Sequence, residues 1–364
     1  MRTLNLYLLR EISLPFVVGL GLFFVVVTFA QVLKVSDAVT GLGISGGDVV
    51  RALGYSLPPL LGLLIPVSLL FATLLGIGRV SSDRELVGMA AAGVSPFRLL
   101  YVPSALGLML AGICGYALAV GEPWGIRGLR HLMATSAQRA LASGVRVGEF
   151  TEWVPGVTFM ARAQVGRELA DVVFADRRDP ARPMVISAKR GKVGAGLEPR
   201  DIVFELEDGA IVLHDREVVR VLRFEKSLYR LDVQGMVGNK LRTASALQEK
   251  SLFELWEESQ DPQLNHDGRA FRTITLHRKL ALPVATLLFA LLAVPLAARP
   301  QGGARARGFL YSAALVGAYY YLGRGFELAA RGGAFDPVLA AWMPNLIGLL
   351  ALAILLKRLP RSAM

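Results

Sequence analysis

The chain has 364 residues, 53% of them hydrophobic, and a formal net charge of +11. Residues 124–272 contain 23 basic and 21 acidic residues, whereas the rest of the chain contains 17 and 8. The excess positive charge therefore flanks apolar segments, which argues against a nucleic-acid partner. The single cysteine, Cys114, excludes an intramolecular disulfide, and the four histidines lack the spacing of metal ligands.

Apolar windows predict an α-helical, polytopic membrane protein with about six transmembrane helices. A helix that crosses a bilayer needs about 20 predominantly apolar residues. The first window is too long for a removable signal peptide, so we expect it to remain as the first span. Six windows reach the required length: 12–36, 53–78, 99–121, 275–298, 308–330 and 337–356.

Basic residues between these windows predict the orientation of the chain, because cytoplasmic loops are enriched in lysine and arginine. With six spans, both termini and the loops at 79–98 and 299–307 lie on one side of the membrane. That side is the basic one, so we expect both termini in the cytoplasm and the segment 124–272 in the periplasm. Its basic residues are Arg2, Arg10, Arg79, Arg84, Arg98, Arg299, Arg305, Arg307, Lys357, Arg358 and Arg361.

The loop between the second and third windows contains a short predicted helix. Ser82 followed by Glu85 is typical of a capping box, and Gly93 is typical of a helix end. Leu86 and Met89 lie on one apolar stripe of this helix. The stripe could dock onto a soluble subunit, or the helix could only anchor the loop at the membrane surface.

The segment between the third and fourth windows is predicted to form an all-β domain. Short stretches rich in Val, Ile and Phe alternate with turn-forming residues at 178–180 and at Asp208-Gly209, a pattern that favours a sandwich or jelly roll. Helical patches at 128–142 and 251–260 would connect the sheet to the membrane. The predicted strands are 157–165, 171–176, 184–192, 202–207, 210–214 and 218–233. The predicted domains are 1–123 with the short helix at about 82–93, 124–272 as the inserted β domain, and 273–364 with the last three helices.

Four cations lie near the periplasmic ends of the predicted spans: Lys34, Arg278, Lys279 and Arg324. Several cations at one depth would suit a ligand with phosphate groups. Alternatively, their long side chains extend to the interface without a ligand. Arg324 could also pair with Glu327, three residues further along the same helix.

The sequence lacks the motifs of an enzyme that supplies its own energy. It contains no P-loop, no G-x-S-x-G, no HExxH and no kinase signature. Carboxylates are nearly absent from the apolar windows, so a proton relay is not indicated. Any work that this protein performs is therefore expected to draw on a partner.

The opening Tyr7-Leu8-Leu9-Arg10-Glu11 and the segment Arg84-Glu85-Leu86-Val87-Gly88-Met89-Ala90-Ala91-Ala92-Gly93 are the first two of four matches to one known family. Across essentially its whole length the chain resembles this family, the LptF/LptG lipopolysaccharide-export permeases. Gly121-Glu122-Pro123-Trp124 matches the entry to the outer domain. Val294-Pro295-Leu296 and Phe335-Asp336-Pro337 match the last third. The opening motif and the Asp-Pro step favour the LptF branch.

The resemblance implies half of an ABC-type exporter in the bacterial inner membrane. The chain would pair with an LptG-like permease above a dimeric LptB-like ATPase, with an LptC-like periplasmic protein as a further partner. It would bind no cofactor itself, since ATP and magnesium would bind to the ATPase. The complex would extract lipopolysaccharide and pass it through a periplasmic β jelly-roll domain towards the outer membrane.

The resemblance also implies roles for individual residues. Arg84, Glu85, Leu86 and Met89 would couple the permease to the ATPase. Lys34, Arg278, Lys279 and Arg324 would bind lipid phosphates, with Lys34 matching a region where the family has a basic residue. The acyl chains would follow an apolar face of the sheet that includes Phe159, Val173, Phe174 and Phe204, although core packing explains these residues equally well.

Two other functions remain open from the sequence. The first is an ABC permease for another lipid or a lipoprotein. The second is a non-transporting envelope receptor or assembly factor that senses ligands through its β domain. Association with an ATPase subunit would distinguish a transporter from a receptor.

Overall fold

A computed structural model describes most of the chain. It covers residues 2–42, 46–142, 148, 150–154, 156–165, 168–177, 183–195, 201–215, 218–232, 247–298 and 304–357. The side chains at 31–42 and 304–308, among a few others in these ranges, are not described.

Long helices precede and follow a group of six strands. The helices are α1 (Arg2–Leu42), α2 (Gly46–Ser82), α3 (Glu85–Ala91), α4 (Tyr101–Tyr116), α5 (Glu122–Ala142), α6 (Leu252–Ser259), α7 (His266–Ala297), α8 (Ala304–Arg331) and α9 (Pro337–Lys357). A 3₁₀ turn, Pro96–Leu100, leads into α4, and a π-helical turn, Ala117–Gly121, joins α4 to α5.

Five helical segments of the described chain are long and apolar enough to cross a membrane: Arg2–Ala30, Gly46–Ser82, Pro96–Leu132, His266–Ala297 and Pro337–Lys357. They coincide with five of the six predicted windows, so the protein is a polytopic membrane protein.

The remaining window, 308–330, is helical as α8 but less apolar than the other five. Tyr319, Tyr320, Tyr321 and Arg324 interrupt its aliphatic sequence. A sixth span is therefore not confirmed by length and composition.

The apolar helices differ in how much of their surface the protein covers. The most apolar stretches of α2 and α7 are 72% and 61% buried, whereas that of α1 is only 11% buried. Close approach between helices depends on glycine at several crossings, since a Cβ on Gly62 would lie 2.3 Å from Leu118. A Cβ on Gly107 would likewise lie 3.0 Å from Leu287. Thus α2 and α7 form the interior of the bundle, and α1 exposes its apolar side chains.

The β domain is one antiparallel sheet in which each strand pairs with the next along the chain. The strands are β1 (Thr151–Val154), β2 (Val157–Val165), β3 (Glu168–Asp176), β4 (Met184–Ala195), β5 (Asp201–Asp215) and β6 (Val218–Asp232), in that spatial order. The described strands therefore form a meander, and the Greek-key crossovers of a jelly roll are not confirmed.

The sheet curls around its own apolar face. β2 and β5 are three strand spacings apart, or about 14 Å in a flat sheet. The rings of Phe159 on β2 and Phe204 on β5 are nevertheless 5.8 Å apart, and both side chains are at most 1% exposed. Curling brings these distant strands together and buries the face without a second sheet among the described strands.

The predicted turn at Asp208-Gly209 is wrong. Both residues lie inside β5, and the pairing with β6 keeps one register through them: Glu207 pairs with Lys226 and Gly209 pairs with Phe224. Asp208 has a positive φ of 53°. A Cβ on Gly209 would lie 2.3 Å from the Phe224 ring, which explains the glycine. The other predicted turn, 178–180, lies outside the described residues.

The chain divides into two compact units. The first comprises Met1–Thr28, Ser56–Ile126 and Leu247–Met364, and contains most of the helices. The second comprises Phe29–Tyr55 and Arg127–Ala246, and contains the sheet.

Candidate functional site

The short helix α3 begins three residues later than the sequence predicts. Ser82 is the last residue of α2, so its backbone is still helical and cannot form the extended cap of a capping box. The residue before α3 is Arg84, which has a left-handed φ of 57° and makes no side-chain cap. The predicted capping box is therefore wrong.

The end of α3 agrees with the sequence prediction. Gly93 has a φ of 76°, and its N–H donates to the carbonyl of Ala90. The next N–H, of Val94, donates to the carbonyl of Met89, which completes a Schellman motif. Glycine is required here because the left-handed conformation disfavours other residues.

The apolar stripe of α3 faces its own protein. Leu86 and Met89 are half-buried against the cluster that contains Leu8 and Ile12. Val87, one residue along from Leu86, is 60% exposed. An approaching subunit would therefore meet Val87 and the exposed Arg84 side chain as well as the remaining surface of Leu86 and Met89.

Two polar contacts join α1 to this region. The hydroxyl of Tyr7 lies 2.8 and 3.1 Å from the two carboxylate oxygens of Glu85 and donates to this carboxylate. One turn further along α1, Glu11 accepts from Arg79 near the end of α2, at 3.1 and 3.3 Å. We did not predict either contact. The sequence does indicate that Tyr7 and Glu11 share one face of α1, because they are spaced at i and i+4.

Lys279 is a structural cation. Its ammonium forms an ion pair with Glu122 at 3.2 Å and donates to the carbonyls of Gln248 and Lys250 at 3.0 Å each. Its side chain is only 4% exposed. Because an ammonium has three N–H donors, Lys279 has none left for a lipid phosphate, contrary to the sequence prediction.

Glu122 was missed as the partner of this lysine. It follows the π-helical turn directly and is buried, with its side chain 7% exposed. The sequence feature that could have predicted this pair is a carboxylate at the end of an apolar window, because a buried charge needs a partner of opposite charge.

The other three predicted cations lie in different surroundings. Arg324 donates to Glu327 at 2.6 Å, which confirms the predicted pair, and its own side chain is 58% exposed. Arg278 is half-buried on α7. Lys34 lies in α1, but its side chain is outside the described residues.

Three phenylalanines form the centre of the sheet's apolar face. The ring of Phe174 lies 4.7 Å from that of Phe159 and 4.6 Å from that of Phe204. Tyr229 also packs on Phe174, and its hydroxyl donates to Asp176 at 3.1 Å.

Val173 is not part of this face, so its placement with the phenylalanines is wrong. Successive side chains of a strand point to opposite faces, and Val172 and Phe174 are the buried neighbours in β3.

A family model described as lipopolysaccharide export system permease LptF/LptG matches residues 6–358. The chain belongs to the LptF/LptG family. It is 24% identical over 363 residues to the lipopolysaccharide export system permease protein LptF of Escherichia coli strain K12. That match covers 96% of this chain and 93% of the relative. The proteins of the same name from Escherichia coli O157:H7 and Shigella flexneri are similar to the same extent.

The LptF/LptG match includes the opening motif with Tyr7, the short helix α3, the sheet and the last helix α9. The predicted family is therefore confirmed, and the description of this family names lipopolysaccharide export.

Proposed function

We propose that this chain is a permease subunit of a lipopolysaccharide exporter in the bacterial inner membrane. The observation that supports this most directly is the LptF/LptG match over residues 6–358. Apolar helices joined to a separate β-sheet are consistent with a protein that takes a lipid from a bilayer and moves it out of the membrane. The alternatives, another lipid cargo or a receptor, have no comparable support.

We further propose that α8 is the sixth span, which places both termini in the cytoplasm and the β domain in the periplasm. The helix has 28 residues, or about 42 Å at 1.5 Å per residue, which exceeds the hydrocarbon thickness of about 30 Å. The excess of basic residues at both ends of the chain and at 79–98 supports this orientation. The β domain is proposed to belong to the jelly-roll-like class.

The cytoplasmic helix α3 is proposed to couple this subunit to a dimeric ATPase, which would bind the ATP and magnesium. A carboxylate has about four acceptor sites, so Glu85 can accept from a partner's arginine or backbone N–H while Tyr7 holds it. Arg84 and Val87 are exposed beside it. The proposed complex also contains an LptG-like permease and an LptC-like periplasmic protein.

The lipid is proposed to contact the protein first through its phosphates. Arg324 keeps an exposed guanidinium with unused N–H donors, and Arg278 and Lys34 are the other proposed ligands. Acyl chains would then enter the face that holds Phe159, Phe174 and Phe204. Because these rings are fully buried and in contact, the sheet must open before a chain can enter, and β1 and β6 are the edges of the described sheet.

Purification of the chain with all associated proteins tests this proposal. We expect an ATPase subunit to co-purify and mass spectrometry to identify bound lipopolysaccharide. Glu85→Ala should abolish lipid-stimulated ATP hydrolysis, whereas Glu257→Ala, at an exposed glutamate of α6, should leave it unchanged. A different bound lipid would indicate another cargo. A well-folded preparation without an ATPase would contradict the exporter.

A further inference from the structure

The helices α1, α2 and α3 meet at one polar cluster, which we define as Tyr7, Glu11, Arg79 and Glu85. Tyr7 and Glu11 lie one turn apart on the same face of α1. Glu85 is the first residue of α3, and Arg79 lies in the last turn of α2. The cluster therefore ties the first helix of the chain to the short helix proposed to meet the ATPase.

The base of α1 is closely packed around this cluster. Leu8 and Ile12, between and beside the two polar residues, are fully buried. A Cβ on Gly76 would lie 2.6 Å from the carbonyl oxygen of Glu11, so α1 and α2 are in backbone contact there. Because the two helices are in contact there, we expect movement at the end of α2 to displace α1 as well.

Beyond this point, the described part of α1 exposes one of its sides. Its outward side exposes large apolar residues, including Leu14, Val18 and Leu22, each at least 60% exposed. A helix that is attached firmly at its base and exposed along its outer side can transfer a displacement from its base into the membrane.

The connection between α2 and α3 is short. It consists of Asp83 and Arg84, and Arg84 adopts a left-handed conformation without a side-chain cap. Beside this connection, the Tyr7 hydroxyl contacts both carboxylate oxygens of Glu85 and orients this side chain relative to α1.

We propose that Tyr7 is a positioning residue that transmits the displacement of α3 to α1. This inference rests on the proposed coupling role of Glu85. Tyr7 holds the ionised carboxylate through a hydrogen bond to a charged group, which is stronger than one between neutral groups. The unused acceptor sites of Glu85 remain for the ATPase. The Glu85 side chain would therefore contact the ATPase and Tyr7 together, and would transmit a displacement of the ATPase to α1.

Tyr7→Phe tests the hydroxyl alone, because the ring and its packing are kept. The measured quantity is lipopolysaccharide extracted per ATP hydrolysed by the complete complex in proteoliposomes. We expect about a tenfold fall in this ratio, the effect of losing a hydrogen bond to a charged group, with the ATPase subunit still bound. Tyr321→Phe, at a tyrosine that is 83% exposed on α8, is the matched control and should not change the ratio.

Hydrogen exchange over Glu85–Ala91 gives a readout that does not depend on transport. Exchange of the α3 amides should be faster in Tyr7→Phe and unchanged in Tyr321→Phe. In a Glu85→Ala background, Tyr7→Phe should have no further effect on this exchange, since the hydroxyl acts only through that carboxylate.

Tyr7→His keeps a ring N–H donor and provides a second variant if Tyr7→Phe does not assemble. Its ratio should lie between those of Tyr7→Phe and the unmodified protein, or clearly above that of Glu85→Ala if only this variant is recovered. The role of the Tyr7 hydroxyl as a hydrogen-bond donor would be overturned if the ratio of Tyr7→His were no higher than that of Tyr7→Phe. If Tyr7→Phe is not recovered, the same holds for a ratio no higher than that of Glu85→Ala.

The outcomes separate this inference from the function on which it rests. If Glu85→Ala uncouples the complex but Tyr7→Phe behaves like Tyr321→Phe, the role of Tyr7 is overturned and the exporter stands. If no ATPase associates, or Glu85→Ala leaves coupling intact, both the coupling role and the inference fail.

Discussion

Two polar junctions in the helical unit use similar side chains in opposite surroundings. At one, Lys279 and Glu122 are 4% and 7% exposed, and every ammonium proton is used inside the protein. At the other, Arg79 is 64% exposed, and the half-buried Glu85 keeps acceptor sites beyond its contact with Tyr7. Burial and saturation of donors, not the type of residue, separate a charge that holds the fold from one that can meet a partner.

The buried junction is expected to show the largest effect on stability. Lys279→Met leaves the Glu122 carboxylate buried without its cation, which should lower the free energy of unfolding by about 3–5 kcal/mol. Thermal unfolding of the purified protein in detergent measures this. Lys357→Met, at an exposed lysine of α9, is the control and should have little effect.

The double variant Lys279→Met with Glu122→Gln sharpens the same comparison. Removing the second charge should recover part of the lost stability, because the neutral amide costs less to bury than an unpaired carboxylate. A double variant that is less stable than the sum of the single changes would contradict the assignment of this pair.

A third junction is intermediate in both exposure and expected effect. Glu258 has a side chain that is 35% exposed, forms an ion pair with Lys250 and accepts from Arg272 at 2.8 Å. Glu258→Gln should lower the free energy of unfolding by about 1–2 kcal/mol, the contribution of hydrogen bonds to a charged group. Glu257→Gln, at the exposed neighbour, is the matched control.

The pH dependence of stability gives a separate test at Glu258. Burial raises the pKa of this carboxyl, but the hydrogen bonds from Lys250 and Arg272 outweigh it, so the pKa is lowered. A lowered pKa contributes stability that is complete above the unfolded value of about 4.3 and is lost as the pH falls through the folded value. Glu258→Gln should therefore reduce the loss of stability in acid. The same acid dependence in the variant and the unmodified protein would exclude this contribution.

The exposed junction should contribute least to stability. Arg79→Gln removes the pair with Glu11 and is expected to lower the free energy of unfolding by less than about 1 kcal/mol. The difference should shrink as salt is added, because exposed charges are screened. Arg2→Gln is a control at another exposed arginine near the same end of α1. A loss comparable to that in Lys279→Met would show that exposure does not separate the two junctions.

Much of the fold follows from patterns that are local in sequence. Apolar windows predicted six membrane helices because a bilayer requires long apolar segments, and five of them are supported by length and composition. The sixth, α8, is not confirmed because tyrosines interrupt its aliphatic sequence. Gly93 correctly predicted the end of α3. Asp208-Gly209 predicted a turn but lies inside β5, where Asp208 has a positive φ although the pairing with β6 keeps its register.

The candidate site was less predictable because its geometry depends on distant residues. Tyr7 and Glu85 are 78 positions apart, and Lys279 on α7 donates to the carbonyls of Gln248 and Lys250, which lie 31 and 29 positions earlier. The hydrophobicity of Leu86 and Met89 predicted a contact surface but could not say whether a partner or the protein's own core would cover it.

The membrane class, the inserted β domain and the family were predictable without coordinates, because hydropathy, strand composition and ordered motifs are properties of the chain. The folded structure was needed to show which cations have their N–H donors saturated inside the protein. Lys279 and Arg324 are both cations near the ends of apolar helices, yet one is saturated inside the protein and the other retains an exposed guanidinium. The physical reason is that a charge becomes a ligand or a structural partner according to the donors, acceptors and solvent around it, and folding alone brings these together.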